Sequence, residues 1–551
     1  MIARLTGRAV ARLGLGLSLL AAALIRLPHL RFVPIWDSRQ YWDECLQPAL
    51  NAPFDPLAFN CFGHRSMLYM LTIGWPQYFS QGSAVLLNLT HMVVALLTIG
   101  AFYLIAVRVF PPDAPPASGA DAALLTLIFA VMPVWSGPSL NLNPDMGVLA
   151  AFLWTLALLM NGRRGWAIAA GLFLVLSKEI GLLLWLLLAA VDIALALWQP
   201  RASRARELLA RAAYALPPLA YWATGVALQS KQIPANWPIA ARQEHSLLRM
   251  FLTFDLSAPH YVAYAADIFL LNFAWVMTLV IVAWLVRLVT RILTRQPVLI
   301  PVADRRSAFI LGIVAPAVYY LVTRYPTYNN VRYLLTFFPL LVLAFGAASV
   351  SLVRRHATRW ALFAIVAALQ LASMWRSADP VSRFMYGTFP FGRHDMLNMT
   401  SIRGECCGFG RDQLVYNLQF THFHYVQDAL FTRMRPGNDD VLAITRAAKW
   451  FLIGSLDAQT FRRTLRKDGV VQPKILTLID VAYGAPLPER LRYVAYANVE
   501  NHPDLALYAR AYHIRGPFVV DEHGYRAAYF ELQRRAVPLR VVPSRVVKTR
   551  P

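Results

Sequence analysis

The chain has 551 residues, of which 57% are hydrophobic and 15% charged, with a formal net charge of +23 and a mean hydropathy of +0.45. That composition excludes a disordered chain, and four cysteines are too few for a small disulfide-held scaffold. The basic excess does not mark a nucleic-acid binder, because many arginines fall in short gaps between apolar runs and no zinc-ligand spacing or phosphate-cradling glycine loop accompanies them.

Apolar runs lie near 13–29, 84–107, 122–137, 146–160, 166–177, 180–198, 212–228, 263–286, 307–323, 334–353 and 360–374. A helix needs roughly 20 apolar residues to cross a hydrocarbon core, so the pattern predicts a polytopic α-helical membrane protein with about eleven spans. Arginines occupy every second gap: Arg4, Arg8 and Arg12; Arg108; Arg163 and Arg164; Arg201, Arg204, Arg206 and Arg211; Arg287, Arg291, Arg295, Arg305 and Arg306; Arg354, Arg355 and Arg359. Short arginine-rich loops stay in the cytoplasm. The alternation therefore predicts a cytoplasmic N-terminus and an extracytoplasmic segment after residue 375. The first run contains Ala21-Ala22-Ala23, but Leu24-Ile25-Arg26 is a poor cleavage site, so it reads as a retained first helix. The runs at 122–137, 146–160 and 166–177 are short, which fits a water-accessible cavity opening outward.

Two domains are expected: 1–375 in the membrane, and 376–551 as a C-terminal extracytoplasmic α/β or α+β domain. The second has candidate strands at 450–454, 475–481, 493–499 and 518–520, with turns at Pro436-Gly437-Asn438-Asp439 and Glu522-His523-Gly524. Cys45, Cys61, Cys406 and Cys407 all fall on the outer side, where disulfides are permitted. Cys45 and Cys61 share one loop, but spacing leaves the pairing open, four free thiols included.

Candidate chemistry gathers in the outer gaps. The first outer loop, 30–83, contains Trp36-Asp37-Ser38-Arg39-Gln40-Tyr41-Trp42-Asp43-Glu44. On an α-helical wheel Asp37, Tyr41 and Glu44 share one stripe, while Trp42, Leu46, Ala49 and Leu50 share the opposite one. This predicts a juxtamembrane helix with its carboxylates turned away from the lipid. Ser66–Phe79 is apolar, too short to span and carries Pro76, so it reads as interfacial or re-entrant. Further along come Asn143-Pro144-Asp145, Lys178-Glu179, and a gap holding Arg324 and Arg332. Each has a plain structural reading: Asp37 or Asp145 as a helix cap, Lys178 paired with Glu179, Arg332 as an interfacial anchor. Together, a candidate base and several cations around an outward cavity suit a lipid carrying a phosphate.

These residues resemble motifs of the GT-C class of glycosyltransferases, which includes the lipid A aminoarabinose transferases and protein O-mannosyltransferases. Asp37-x-x-x-Tyr41 resembles the first-loop motif of that class, and His64-Arg65-Ser66-Met67-Leu68-Tyr69 is similar to its His-Pro-Pro-Leu-Tyr-like stretch. Asn143-Pro144-Asp145, Ala170-Gly171-Leu172 followed by Ser177-Lys178-Glu179-Ile180-Gly181-Leu182, and Arg332-Tyr333-Leu334-Leu335 with Pro339 complete the set, over about residues 10–375. The chain departs from the class at Ser38, where many members have a second acid, at Gln47, four residues after Asp43 where the pattern has tyrosine, and in lacking prolines after His64.

The resemblance implies an inverting transfer of a sugar from a polyprenyl phosphate to an acceptor on the periplasmic or lumenal face. Asp37 would be the general base, and Tyr41 would position it or a sugar hydroxyl. Lys178 and Arg332, with Arg324 behind them, would stabilise the leaving phosphate. His64, Asp145 and Glu179 would line the substrate. No resident cofactor and no metal are expected, although His64 leaves a divalent metal open. The implied partners are the lipid-linked donor and a glycan, lipid or protein acceptor, with no nucleic acid. The implied location is a bacterial inner membrane, or alternatively an ER membrane. Two other readings stand beside it: a transporter or lipid flippase with an outer domain, drawing on the intramembrane acid Asp192, and a non-catalytic envelope scaffold.

Overall fold

The structure is a computed structural model that describes residues 6–27, 30, 41–60, 67–80, 84–112, 118–136, 138–140, 142–198, 205, 207–229, 265, 268–270, 273–297, 305–324, 331–373, 379–381, 441–444, 474–477, 491–496, 505–522 and 525–535. Its main helices are α1 (Gly7–Arg26), α2 (Met67–Ser80), α3 (Ala84–Val109), α4 (Gly119–Ala130), α5 (Pro144–Met160) and α6 (Arg164–Val175). They continue with α7 (Ile180–Leu197), α8 (Leu216–Gln229), α9 (Ala274–Leu293), α10 (Arg305–Arg324), α11 (Phe338–Leu352) and α12 (His356–Ser373). Among the described residues, five helices are long and apolar enough to cross a membrane: α1, α3, α7, α9 and α10. Helices α4, α5, α6 and α11 are apolar but shorter. This is the architecture of a multi-span helical membrane protein.

Helix α1 shows how the apolar residues are partitioned. Ala11, Ser18, Ala22 and Ile25 are buried, while Leu13, Leu17, Leu20 and Leu24 form an outward stripe at helical spacing. Lipid tails are as apolar as leucine, so the helix gains little from hiding leucine and instead turns small residues toward a close neighbour, here α4. Helix α5 is the opposite case, buried along nearly its whole length. The 122–137 run is broken: α4 ends at Ala130, and Pro133 begins a separate turn, Pro133–Ser136, because its ring cannot continue a helix. Helix α9 starts at Ala274, later than the apolar run suggests, and Arg287 and Arg291 lie within its last turns rather than in a gap.

Several of the arginines in the gaps between apolar runs also fasten helices together. Arg359 of α12 makes two 2.7 Å hydrogen bonds to the two carboxylate oxygens of Asp121 at the start of α4, and both side chains are 0% exposed. Arg211 donates to Asp192 of α7 at 2.6 Å, and Tyr214 donates to the same oxygen at 2.9 Å. Glu207 accepts from Arg211 at 2.8 Å and from Arg164, at the start of α6, at 2.7 Å. The hydrogen bond from Arg211 and then the charge of Arg164 hold the Glu207 carboxyl below the usual carboxylate range.

The C-terminal part forms a five-stranded mixed sheet in the order β2-β1-β3-β5-β4, from β1 (Val441–Ile444), β2 (Lys474–Thr477), β3 (Leu491–Tyr496), β4 (Tyr512–Glu522) and β5 (Tyr525–Arg534). β1 runs parallel to β2 and β3, and β5 is antiparallel to β3 and β4. A bulge decides which faces β4 presents. Arg515 pairs with Glu531 but Phe518 with Tyr529, so three residues of β4 span two of β5, with Gly516 at φ 125°. The extra residue reverses the alternation. Tyr512 and Ile514 therefore join Val494, Tyr508, Phe530 and Leu532, whereas Phe518 stacks on Tyr529 from the other side at 5.1 Å. Of the expected strands, 450–454 lies outside the described residues; 475–481 and 493–499 overlap β2 and β3 at 475–477 and 493–496, their remaining residues lying outside the described ones, and 518–520 falls within the longer β4.

Removing one partner of a buried ion pair leaves a stranded charge and typically costs about 3–5 kcal/mol. Arg359→Met or Asp121→Leu alone should lower the unfolding midpoint in detergent by an amount of that order, and the double replacement should recover much of it. The pair at Glu207 adds a pH signature. A carboxyl lowered by folding contributes its full stability above its unfolded value and loses it as pH falls through the folded one. Melting temperature should therefore drop on acidification less in Glu207→Gln than in the parent; identical pH profiles would contradict this.

Candidate functional site

The residues that bear on chemistry sit at the ends of helices away from the paired arginines. Asn143 caps α5: its side chain accepts from the Asp145 amide at 2.9 Å, and Pro144 occupies the first turn with its preset φ. With the cap supplied by Asn143, the Asp145 carboxylate is not the cap and turns elsewhere. It meets Lys178 Nζ at 2.8 Å, and the two residues are 6% and 3% exposed.

Lys178 is brought there by the tight link between α6 and α7. Leu176 and Ser177 close the end of α6, and the Gly181 amide donates to the Lys178 carbonyl at 2.9 Å as α7 begins. A cation beside a helix N-terminus opposes the helix dipole, and burial adds to that cost, which the opposite charge of Asp145 offsets. The ammonium also lies 4.5 Å from the centre of the Tyr333 ring, a cation–π contact. Tyr333 belongs to the single turn Val331–Leu334, which carries Arg332.

Tyr69 closes another side. The Leu68 amide donates to the Leu176 carbonyl at 3.2 Å, tying the start of α2 to the link that holds Lys178. The Tyr69 ring lies against α5 at Gly147, where an added Cβ would come within 2.6 Å of it, so only glycine fits. Burial raises the Tyr69 phenol above its ordinary range, the Asn143 amide works against that, and the Asp145 charge adds to it, leaving a neutral phenol. Four segments far apart in sequence thus meet around one buried ion pair: Leu68-Tyr69, Asn143-Pro144-Asp145, Lys178 and Tyr333. Lys178 pairs with Asp145 rather than with its neighbour Glu179, which is partly exposed.

The first loop differs from its expected winding. Tyr41–Leu46 forms a π-helix continued by Gln47–Ala49. The wider π winding shifts the faces. Tyr41, Cys45, Leu46 and Ala49 are all buried, so Tyr41 does not face away from the buried side as an α-helical wheel places it. Leu46 and Phe59 lie against Gly74 of α2, which seats the loop on that helix. Cys45 is disulfide-bonded, and its partner is outside the described residues. Asp37 and His64 are also outside them, as is the side chain of Arg332. Arg324 ends α10 with its guanidinium 5.7 Å from the Tyr320 ring. Among the described residues, no three His, Cys, Asp or Glu side chains gather as metal ligands would.

One residue that the sequence reading passed over stands out. Arg26, the last residue of α1, is 1% exposed. Its Nε and Nη2 donate to Ser139 Oγ at 2.9 and 2.7 Å, its Nη1 donates to the Ala22 carbonyl at 2.9 Å, and it lies 4.7 Å from the Trp135 ring centre. None of these partners is charged. A guanidinium at a helix C-terminus gains about 0.3–1 kcal/mol from the dipole, whereas burying an ion costs several kcal/mol. The signal in the sequence was its position: an arginine at the arginine-poor end of an apolar span.

The Asp145–Lys178 pair is testable directly. Asp145→Asn alone strands Lys178 and should cost about 3–5 kcal/mol of stability, as should Lys178→Met alone. The Asp145→Asn/Lys178→Met double variant should recover part of that loss in a thermal-unfolding cycle. Strictly additive losses would show that the two side chains do not interact.

No protein-family model matches this sequence, and no curated protein matches it. Among solved structures, the chain is similar to ArnT from Cupriavidus metallidurans, whose crystal structure has undecaprenyl phosphate bound. The likeness covers 94% of this chain and 97% of that one, at 15% identity and a TM-score of 0.47. That is too loose a likeness to carry a residue's role from one chain to the other.

Proposed function

We propose that the protein is an integral-membrane glycosyltransferase that moves a sugar from a polyprenyl phosphate to an acceptor hydroxyl, with inversion, on the non-cytoplasmic face. The observation that carries this reading is the meeting of Tyr69, Asp145, Lys178 and Tyr333, since all four lie in motifs singled out by their resemblance to one enzyme class. The orientation follows from the arginine alternation and is supported by the disulfide at Cys45, a bond suited to an oxidising compartment. The membrane is a bacterial inner membrane in this reading.

Asp37 accepts the acceptor's proton as its oxygen attacks the anomeric carbon, and the bond from that carbon to the phosphate oxygen breaks. The departing phosphate gains negative charge, which Lys178 and Arg332 stabilise, with Arg324 further out. Asp145 is a positioning residue: it holds the Lys178 ammonium at the mouth of α7, where the helix dipole would otherwise favour its displacement. Tyr69 stays protonated and serves as a hydrogen-bond donor or a wall. Tyr41 supports the loop bearing Asp37, and His64 and Glu179 contact the sugar. Residues 376–551 form an outer domain that shapes access for the acceptor and supplies no base. Under the competing transport reading Asp192 would carry the cargo's charge, but that carboxylate is engaged by Arg211 and Tyr214.

Asp37→Asn keeps size and much of the hydrogen bonding but cannot accept a proton, so sugar transfer should fall roughly 10²–10⁴-fold with donor binding retained. Asp43→Asn, Glu44→Gln, Asp439→Asn, Asp440→Asn and Asp480→Asn, assayed at matched expression, should each stay within several-fold of the parent. Near-normal transfer by Asp37→Asn would remove the base, and loss of transfer in a C-terminal variant would move the site into that domain.

A further inference from the structure

Four lysine or arginine side chains are buried among the described residues: Arg26, Lys178, Arg211 and Arg359. Lys178 has Asp145, Arg211 has Asp192, and Arg359 has Asp121. Arg26 has no carboxylate in ion-pair reach among them; its acceptors are one hydroxyl and one carbonyl. A guanidinium carries five N–H donors, and Ser139 and Ala22 take three, which leaves two without an acceptor among the described residues. A second polar residue is linked to it through Ser139. Ser139 Oγ donates to the Ser136 carbonyl at 2.6 Å, and the Ser136 hydroxyl is buried with no hydrogen-bond partner among the described residues.

Among the described residues, a cation with no carboxylate partner, two donors without an acceptor and a buried hydroxyl without a partner are the complement of an anion with several oxygens. Ser139 precedes Asp145 by six residues, so the two places are within about 20 Å even along an extended chain. We infer that Arg26, with Ser136 and Ser139, is a seat for a phosphate group, and that the phosphate it takes is that of the lipid-linked donor. The lipid source rests on the glycosyltransferase reading; the anion seat does not.

The test uses the full chain purified in detergent, with farnesyl phosphate, farnesol and inorganic phosphate as probes and affinity read by microscale thermophoresis. Farnesyl phosphate should bind the parent and farnesol should not. Arg26→Met should weaken farnesyl phosphate binding roughly 10–100-fold, Arg26→Lys less so. Without ligand, Arg26→Met should melt no lower than the parent, since it removes an uncompensated buried charge rather than half of an ion pair. Farnesyl phosphate affinity unchanged within about twofold in Arg26→Met would overturn the seat while leaving the donor reading intact. Arg26-dependent binding of inorganic phosphate with none of farnesyl phosphate would keep the seat and remove the lipid donor. If Arg26→Met does not fold, Arg26→Lys and Ser136→Ala decide the matter: weaker binding in both supports the seat, and unchanged binding in both overturns it.

Discussion

In a molecule largely surrounded by hydrocarbon, a charge away from water is costly unless an opposite charge or well-placed hydrogen-bond partners face it. That constraint organises this fold. At the arginine-rich end, Arg359–Asp121 joins α12 to α4, and the Arg164, Glu207, Arg211, Asp192 and Tyr214 group joins α6 and α7 to the segment before α8. Such pairs add little net stability over well-fitting apolar side chains. Their value lies in register: two helices bearing one bidentate pair cannot slide past each other without stranding both charges.

At the opposite end the same constraint produces a site. Asn143 caps α5 and so releases Asp145, Asp145 steadies Lys178 against the dipole of α7, and Tyr333 covers the ammonium. Each side chain is where it is because another satisfies a local need. The ion pair holds a charge-dense, nearly dry spot among short helices, the kind of place where a phosphate's charge is felt strongly. Arg26 completes the picture by contrast, being the buried cation whose compensation is neutral in this structure.

Much of this was legible in the sequence. Hydropathy located most of the described helices, of which five are long and apolar enough to cross a membrane where about eleven spans were expected. Asp145, Lys178 and Tyr333 from three of the motifs did gather, although their contacts could not be read: adjacency offered Glu179 as one partner for Lys178, and only the fold brings Asp145 across. The wheel drawn through Tyr41 failed because it assumed α winding where the backbone takes a π turn. Strand β4 was read only over 518–520 because a bulge at Gly516 interrupts its alternation, and β5 escaped because Tyr525–Arg534 mixes polar and apolar residues on both faces. Arg26 was read only as part of a poor cleavage site within the first apolar run, when its presence at the arginine-poor end was itself the clue.

The central claim is that the buried polar end of this bundle receives a polyprenyl phosphate. Its most direct test is mass spectrometry of the lipids that copurify with the full-length protein extracted from its own membrane. The account predicts a polyprenyl phosphate, free or bearing a sugar, enriched well beyond its share of the membrane. Recovery of bulk phospholipid alone, with polyprenyl phosphates no more abundant than in the surrounding membrane, would contradict it.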